Sequence, residues 1–150
     1  MRLLLVGTSY QRAPVELREL LAYDRDLRRR ALERLAAGGT EAAVLSTCNR
    51  TEVYAVDAEP ETLEERIYGE LSALSGLSHS ELAPALYTVG DEAAALHLFR
   101  VAAGLDSMVP GEAQILGQVR EAYHAAREAR TTGPILHRLF RQALRVGKRV

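Results

Sequence analysis

The sequence predicts an α+β fold: a split β-α-β-β-α-β antiparallel sheet with helices on one face, followed by additional helices. Three observations predict it. Apolar runs at residues 3–6, 42–45 and 53–56 have strand length and are bounded by turn-forming or polar residues. Between and after them lie segments with helix signals, two opened by Asp24 and Pro60. From Ile115 onward the apolar spacing is helical only. The 150 residues suffice for one core, or for two small subdomains that share one. A hydrophobic content of 47% and a charged content of 26% exclude a disordered chain.

In chain order, residues 3–8 form the first strand. A loop at 10–14 follows, and Pro14 suits the first turn of a short helix over 15–21. Asp24 caps a second helix over 26–37, with Leu27, Ala31 and Leu35 on one face, and Gly38-Gly39 ends it. The apolar run 42–45, a polar connection around Cys48 and the alternating run 53–56 read as strand, tight turn, strand. Pro60 starts a helix that runs to residue 75, where Gly76 stops it. A short strand over 85–89 precedes Asp91, a suitable cap for a helix over 92–101. A polar, glycine-punctuated section covers 103–112. Ile115, Val119, Tyr123 and Ala126 then mark a helix stripe, and a further helix follows Gly133-Pro134. Gly104, Gly111 and Gly117 have the wrong spacing for a dinucleotide fingerprint, and no βαβ unit surrounds them.

The apolar run at the start is too short for a signal peptide and is soon followed by charges, which predicts a cytoplasmic protein. No stretch approaches transmembrane length, so no membrane partner is expected. A net charge of −1 gives no overall basic field to recruit nucleic acid. From Arg120 onward, however, eight positive side chains stand against Glu121 and Glu128. That excess reads as a solvated helix face, with a phosphate-binding border as the alternative. The final residues, 138–150, carry no helix-ending signal, and a piece of a longer protein is expected.

The chemistry concentrates at Ser46-Thr47-Cys48-Asn49-Arg50-Thr51-Glu52, which holds the only cysteine. A thiol on a polar turn is open to a substrate, and a neighbouring Arg50 favours its thiolate. The alternative is a small buried hydrophobe, which the polar flanks fit poorly. One cysteine excludes an internal disulfide, and a thiol-rich metal site needs more ligands.

That block, together with Gly7-Thr8-Ser9 and residues 13–19, and with residues 97–119 from His97 through Gly104-Leu105-Asp106-Ser107 to Gly117-Gln118-Val119, resembles the N-terminal catalytic domain of glutamyl-tRNA reductase. The resemblance covers essentially the whole chain, so residues 1–150 are expected to be that one domain. It implies reduction of glutamyl-tRNA to glutamate-1-semialdehyde with NADPH, the first step of tetrapyrrole synthesis. It assigns Cys48 as the nucleophile that takes the glutamyl group as a thioester, and His97 as a second catalytic residue. Thr47, Cys48, Asn49, Arg50, Ser107, Glu112, Ala113, Gln114 and Gln118 are implied to bind substrate. Tyr10 stands where the family usually has histidine. The NADPH-binding Rossmann domain and the dimerisation domain of such reductases are absent from these residues. The implied partners are glutamyl-tRNA and glutamate-1-semialdehyde aminotransferase, with a homodimeric parent and a monomeric 150-residue chain.

The residue types agree with those roles. An aminoacyl ester is already activated, so a thiolate displaces the ribose oxygen without a full protease-like triad. Arg50 can fork onto the substrate carboxylate, or pair with Glu52. Glu112 can hold the substrate amino group, and Ser107, Gln114 and Gln118 can orient it. Their alternatives are a helix cap at Ser107, surface amides at Gln114 and Gln118, and a core histidine at His97. A non-catalytic tRNA-binding module and a regulatory interaction domain are the rival readings of the chain.

Overall fold

The computed structural model describes residues 1–108 and 114–149. Its strands are β1 (Arg2–Ser9), β2 (Glu41–Ser46), β3 (Arg50–Asp57) and β4 (Tyr87–Gly90). The helices are α1 (Val15–Leu20), α2 (Arg25–Ala36), α3 (Pro60–Ser75), α4 (His79–Leu82), α5 (Asp91–Ala102), α6 (Gln114–Glu128) and α7 (Pro134–Gly147). The strands pair antiparallel in the order β2-β3-β1-β4, the arrangement a split β-α-β-β-α-β chain produces.

Helices cover both faces of the sheet. Leu4 and Val6 of β1, with Ala42, Val44, Val53 and Ala55, pack against Leu32 and Leu35 of α2 and Leu63, Ile67 and Leu71 of α3. Leu3 and Leu5, with Ala43, Leu45, Tyr54 and Val56, pack against α5, α6 and α7 through Leu98, Val119, Leu136 and Phe140. The crossover helices thus take one face, as expected, and the additional helices take the other. Cover on the second face is what the additional helices supply. Its physical sign lies in the strands themselves. A half-solvated strand alternates, whereas 3–6 and 42–45 are apolar throughout, as strands buried on both faces are.

Local chemistry sets most boundaries. The Asp24 carboxylate accepts from Leu27 N–H at 2.8 Å and caps α2. The buried stripe of α2 is Arg28, Ala31, Leu32 and Leu35, while Leu27 is exposed. Arg28 rather than Leu27 is buried at that turn, and its Nη2 meets Glu121 at 3.4 Å. At the end of α3, Gly76 adopts φ 78°, a left-handed cap that suits glycine. Asp91 does not cap α5. Its carboxylate instead accepts from Arg2 Nε at 2.7 Å and Leu3 N–H at 3.1 Å, across the edge of the sheet. β4 begins later than expected, since Ala83–Ala85, with Pro84, forms a 3-10 turn. The short α4 was not anticipated, although Ser78 and Glu81 form its capping box.

The second layer is tied to the edge strand by Glu41. Its buried carboxylate accepts from Gly133 N–H at 2.9 Å and Leu136 N–H at 2.7 Å, at the positive end of α7. Glu41→Ala orphans those donors. We expect it to lower stability by about 2 kcal/mol in urea denaturation, with little change in slope.

Candidate active site

The β2–β3 hairpin places the cysteine. Ser46 pairs with Thr51, leaving Thr47, Cys48 and Asn49 as the connection. Thr47 N–H donates to Arg50 O at 2.8 Å, and Thr47 Oγ1 accepts from Asn49 N–H and Arg50 N–H at 3.1 and 3.2 Å. From outside, Tyr10 N–H donates to Asn49 O at 2.8 Å, and Arg18 Nε donates to Cys48 O at 3.2 Å. The loop backbone is therefore held on both sides while Cys48 remains exposed. At position 10 it is the backbone that braces the loop, a contact for which the side-chain identity is immaterial.

A small cavity of about 70 Å³ opens beside this loop. Thr47, Cys48, Asn49, Arg50, Ser107, Gln114 and Gln118 line it, joined by Ile115. Residues from three separate parts of the chain thus meet at one cavity. Glu112 and Ala113 lie outside the described residues. His97 does not line the cavity.

Behind the cavity stands a buried polar network. Arg50 is 3% exposed; its Nη1 donates to Glu52 Oε2 at 3.1 Å, and its Nη2 donates to Asp106 O at 2.6 Å. Two of its donors are thereby committed within the protein, which limits the fork expected of it. The Glu52 carboxylate, fully buried, also accepts from Tyr54 Oη at 2.8 Å, from Tyr87 Oη and from His97 Nε2. An ionised carboxylate only accepts, so His97 carries its proton on Nε2 here. His97 Nδ1 faces Asp106 at 4.0 Å.

The sheet register explains how one carboxylate reaches so many donors. Tyr87, Gly7 and Glu52 lie side by side on β4, β1 and β3. A Cβ on Gly7 would stand 2.6 Å from Thr51 O and 2.8 Å from Glu52 Cγ. Glycine there is a close-approach requirement, which lets Glu52 cross beneath β1 to Tyr87 and His97.

Burial pushes the Glu52 carboxyl up, but the hydrogen bond and charge of His97, with Arg50 and Tyr87, outweigh it and hold the carboxyl below its ordinary range. Burial, then the Glu52 charge, push the Tyr87 and Tyr54 phenols up, so both remain donors. A lowered folded-state carboxyl contributes stability above its unfolded pKa and loses it as pH falls through the folded value. Thermal stability should therefore decline below about pH 4.3, the ordinary glutamate value. In Glu52→Gln that part of the acid slope should be missing from the Tm profile.

Residues 6–150 match the family model described as "Glutamyl-tRNAGlu reductase, N-terminal domain". The chain belongs to this family. A glutamyl-tRNA reductase of Rubrobacter xylanophilus is 51% identical over 152 residues, spanning 100% of this chain and 35% of that protein. One from Salinispora tropica is 52% identical over 99% of this chain and 33% of its own length. The solved glutamyl-tRNA reductase from Methanopyrus kandleri superposes with a TM-score of 0.77 at 34% identity, over 98% of this chain and 33% of that one. The chain thus spans about a third of the length of these relatives.

In this glutamyl-tRNA reductase N-terminal domain, the described residues do not fit a nicotinamide dinucleotide. Every strand pair is antiparallel, so the βαβ unit and glycine turn that cradle a pyrophosphate are missing among them. No helix among the described residues is long and apolar enough to cross a membrane. Sequence reasoning named Glu52 only as an alternative partner of Arg50, a pairing the structure contains, and it missed Tyr54 and Tyr87. Period-two spacing does put Arg50, Glu52 and Tyr54 on one face of β3; the contribution of Tyr87 needs the strand order.

Proposed function

We propose that this chain is the acyl-transfer part of an NADPH-dependent glutamyl-tRNA reductase, the first enzyme of tetrapyrrole synthesis. The Cys48 thiolate attacks the carbonyl carbon of the glutamyl ester, the bond to the tRNA ribose oxygen breaks, and that oxygen takes up a proton. The products are a glutamyl thioester on Cys48 and free tRNA. The carrying observation is the cavity that joins an exposed thiol on a braced loop to Arg50, Ser107, Gln114 and Gln118.

Within that reading, Thr47, Asn49, Ser107, Gln114 and Gln118 orient the glutamyl group by hydrogen bonds. Glu112 and Ala113 complete the binding set. Arg50 presents the remaining edge of its guanidinium to the substrate carboxylate. His97 acts through Glu52 and Arg50 rather than on the thiol, as a positioning residue that keeps the guanidinium in place. NADPH is the reductant of the whole enzyme, and the reaction assigned to the present residues ends at the thioester. The parent reductase is taken as a cytoplasmic homodimer whose aldehyde product passes to glutamate-1-semialdehyde aminotransferase.

The proposal is tested by mixing this chain with excess glutamyl-tRNA and following uncharged tRNA. We expect a rapid burst near one equivalent per chain, followed by slow turnover as the thioester hydrolyses. Slow linear release without a burst would count against a covalent intermediate.

A further inference from the structure

A second, larger groove of about 550 Å³ lies between α2 and α6. Arg25, Arg28 and Arg29 line one wall, and Glu121, His124 and Glu128 the other. The groove adjoins the Cys48 cavity from two directions. Tyr23 N–H, two residues before Arg25, donates at 2.9 Å to Ser46 Oγ, two residues before Cys48. Gln118 lines the Cys48 cavity, and Glu121, its i+3 neighbour on α6, lines the groove.

Its charges are unevenly committed. Asp26 already pairs with Arg29 at 2.7 Å and Arg30 at 3.0 Å, and Glu128 pairs with His124 at 2.8 Å. Arg28 has a side chain only 10% exposed, yet its one pairing is a 3.4 Å contact with the exposed Glu121, and its buried Nε has no hydrogen-bond partner. Exposed Arg25 makes no side-chain hydrogen bond or ion pair among the described residues. Arg28 lines the groove, and an anion there would pair with its guanidinium head, which Glu121 reaches only at 3.4 Å. The acids fit the same occupant. RNA presents donor hydroxyls beside each phosphate, so a wall carrying both arginines and carboxylates suits a ribonucleotide better than a bare anion.

We propose that this groove holds the 3′-terminal nucleotides of the aminoacyl-tRNA, with a phosphodiester on Arg25 and Arg28 and a ribose hydroxyl on Glu121. The inference rests on the acyl-transfer reading of Cys48, because an ester delivered there needs its terminal nucleotides within a short reach of the loop.

The test is fluorescence anisotropy of a 5′-labelled RNA trinucleotide, CCA, titrated with the whole chain at two salt concentrations. The wild type should bind with an affinity that falls as salt rises. Arg25→Glu and Arg28→Gln should each weaken binding by about tenfold or more, while Arg138→Glu, on α7 and outside the groove lining, should leave it unchanged. Because Arg25 is exposed, its variant reports on the groove even if Arg28→Gln fails to fold. No binding by the wild type, unchanged binding in Arg25→Glu, or equal weakening by Arg138→Glu would each overturn the proposal. Acylation of Cys48 by glutamyl-tRNA, read separately by mass, tells the two readings apart. Groove-dependent binding without acylation supports the groove and overturns the reading of Cys48; acylation with groove-independent binding overturns the groove alone.

Discussion

Replacing Glu52 by alanine is expected to destabilise the chain by about 3–5 kcal/mol, read as a shift in the urea midpoint. The carboxylate is fully buried and is the common acceptor for Arg50, Tyr54, Tyr87 and His97. Its removal leaves the Arg50 guanidinium, itself 3% exposed, as an uncompensated buried charge. Domains of this size have a total stability of roughly 5–15 kcal/mol, so the variant should sit near its unfolding threshold at 37 °C. Glu52→Gln keeps the volume but turns an amide N–H₂ toward donors. It should cost about 1–3 kcal/mol and loosen Arg50 enough to slow acyl transfer. A loss below about 1 kcal/mol in Glu52→Ala would mean that water or a shifted side chain replaces the carboxylate.

Cys48→Ser is expected to do the opposite: no measurable loss of stability, and complete loss of the tRNA-release burst. The side chain is exposed, and the loop backbone is held by the Thr47 hydroxyl, the Tyr10 N–H and the Arg18 guanidinium, none of which touches sulfur. Surface substitutions of that kind stay within about 0.5 kcal/mol. A serine hydroxyl, by contrast, meets no base among the described residues that line the cavity, and an unactivated alcohol is a poor nucleophile at neutral pH. The measurement pairs a denaturation curve with a single-turnover assay on the same preparation. A serine variant that retained the burst would move the nucleophile elsewhere.

The helices and strands were legible where the local signals were strong. Asp24, Pro60 and Gly76 mark their helix ends as expected, and the hairpin around Cys48 could be read from two apolar runs and a polar gap. What local signals do not carry is the partner across the sheet. Asp91 looks like a cap in sequence, yet Arg2 and Leu3 lie beside it only after β1 and β4 pair. Glu52 reads as one more charge in a motif until Gly7 and Tyr87 are set next to it by register. The same holds for His97: the motif that contains it says nothing of whether it faces the thiol or the carboxylate behind Arg50. The residues lining the Cys48 cavity were recoverable because the resemblance named them as a group, not because any spacing joined residue 48 to residue 118.

The most direct measurement is the intact mass of the chain after brief incubation with glutamyl-tRNA, repeated after hydroxylamine and with Cys48→Ala. The expected result is one glutamyl adduct on the wild type, removed by hydroxylamine and absent from the alanine variant. The contradicting result is an adduct that survives in Cys48→Ala, or a wild type that binds the glutamyl-tRNA and remains unmodified.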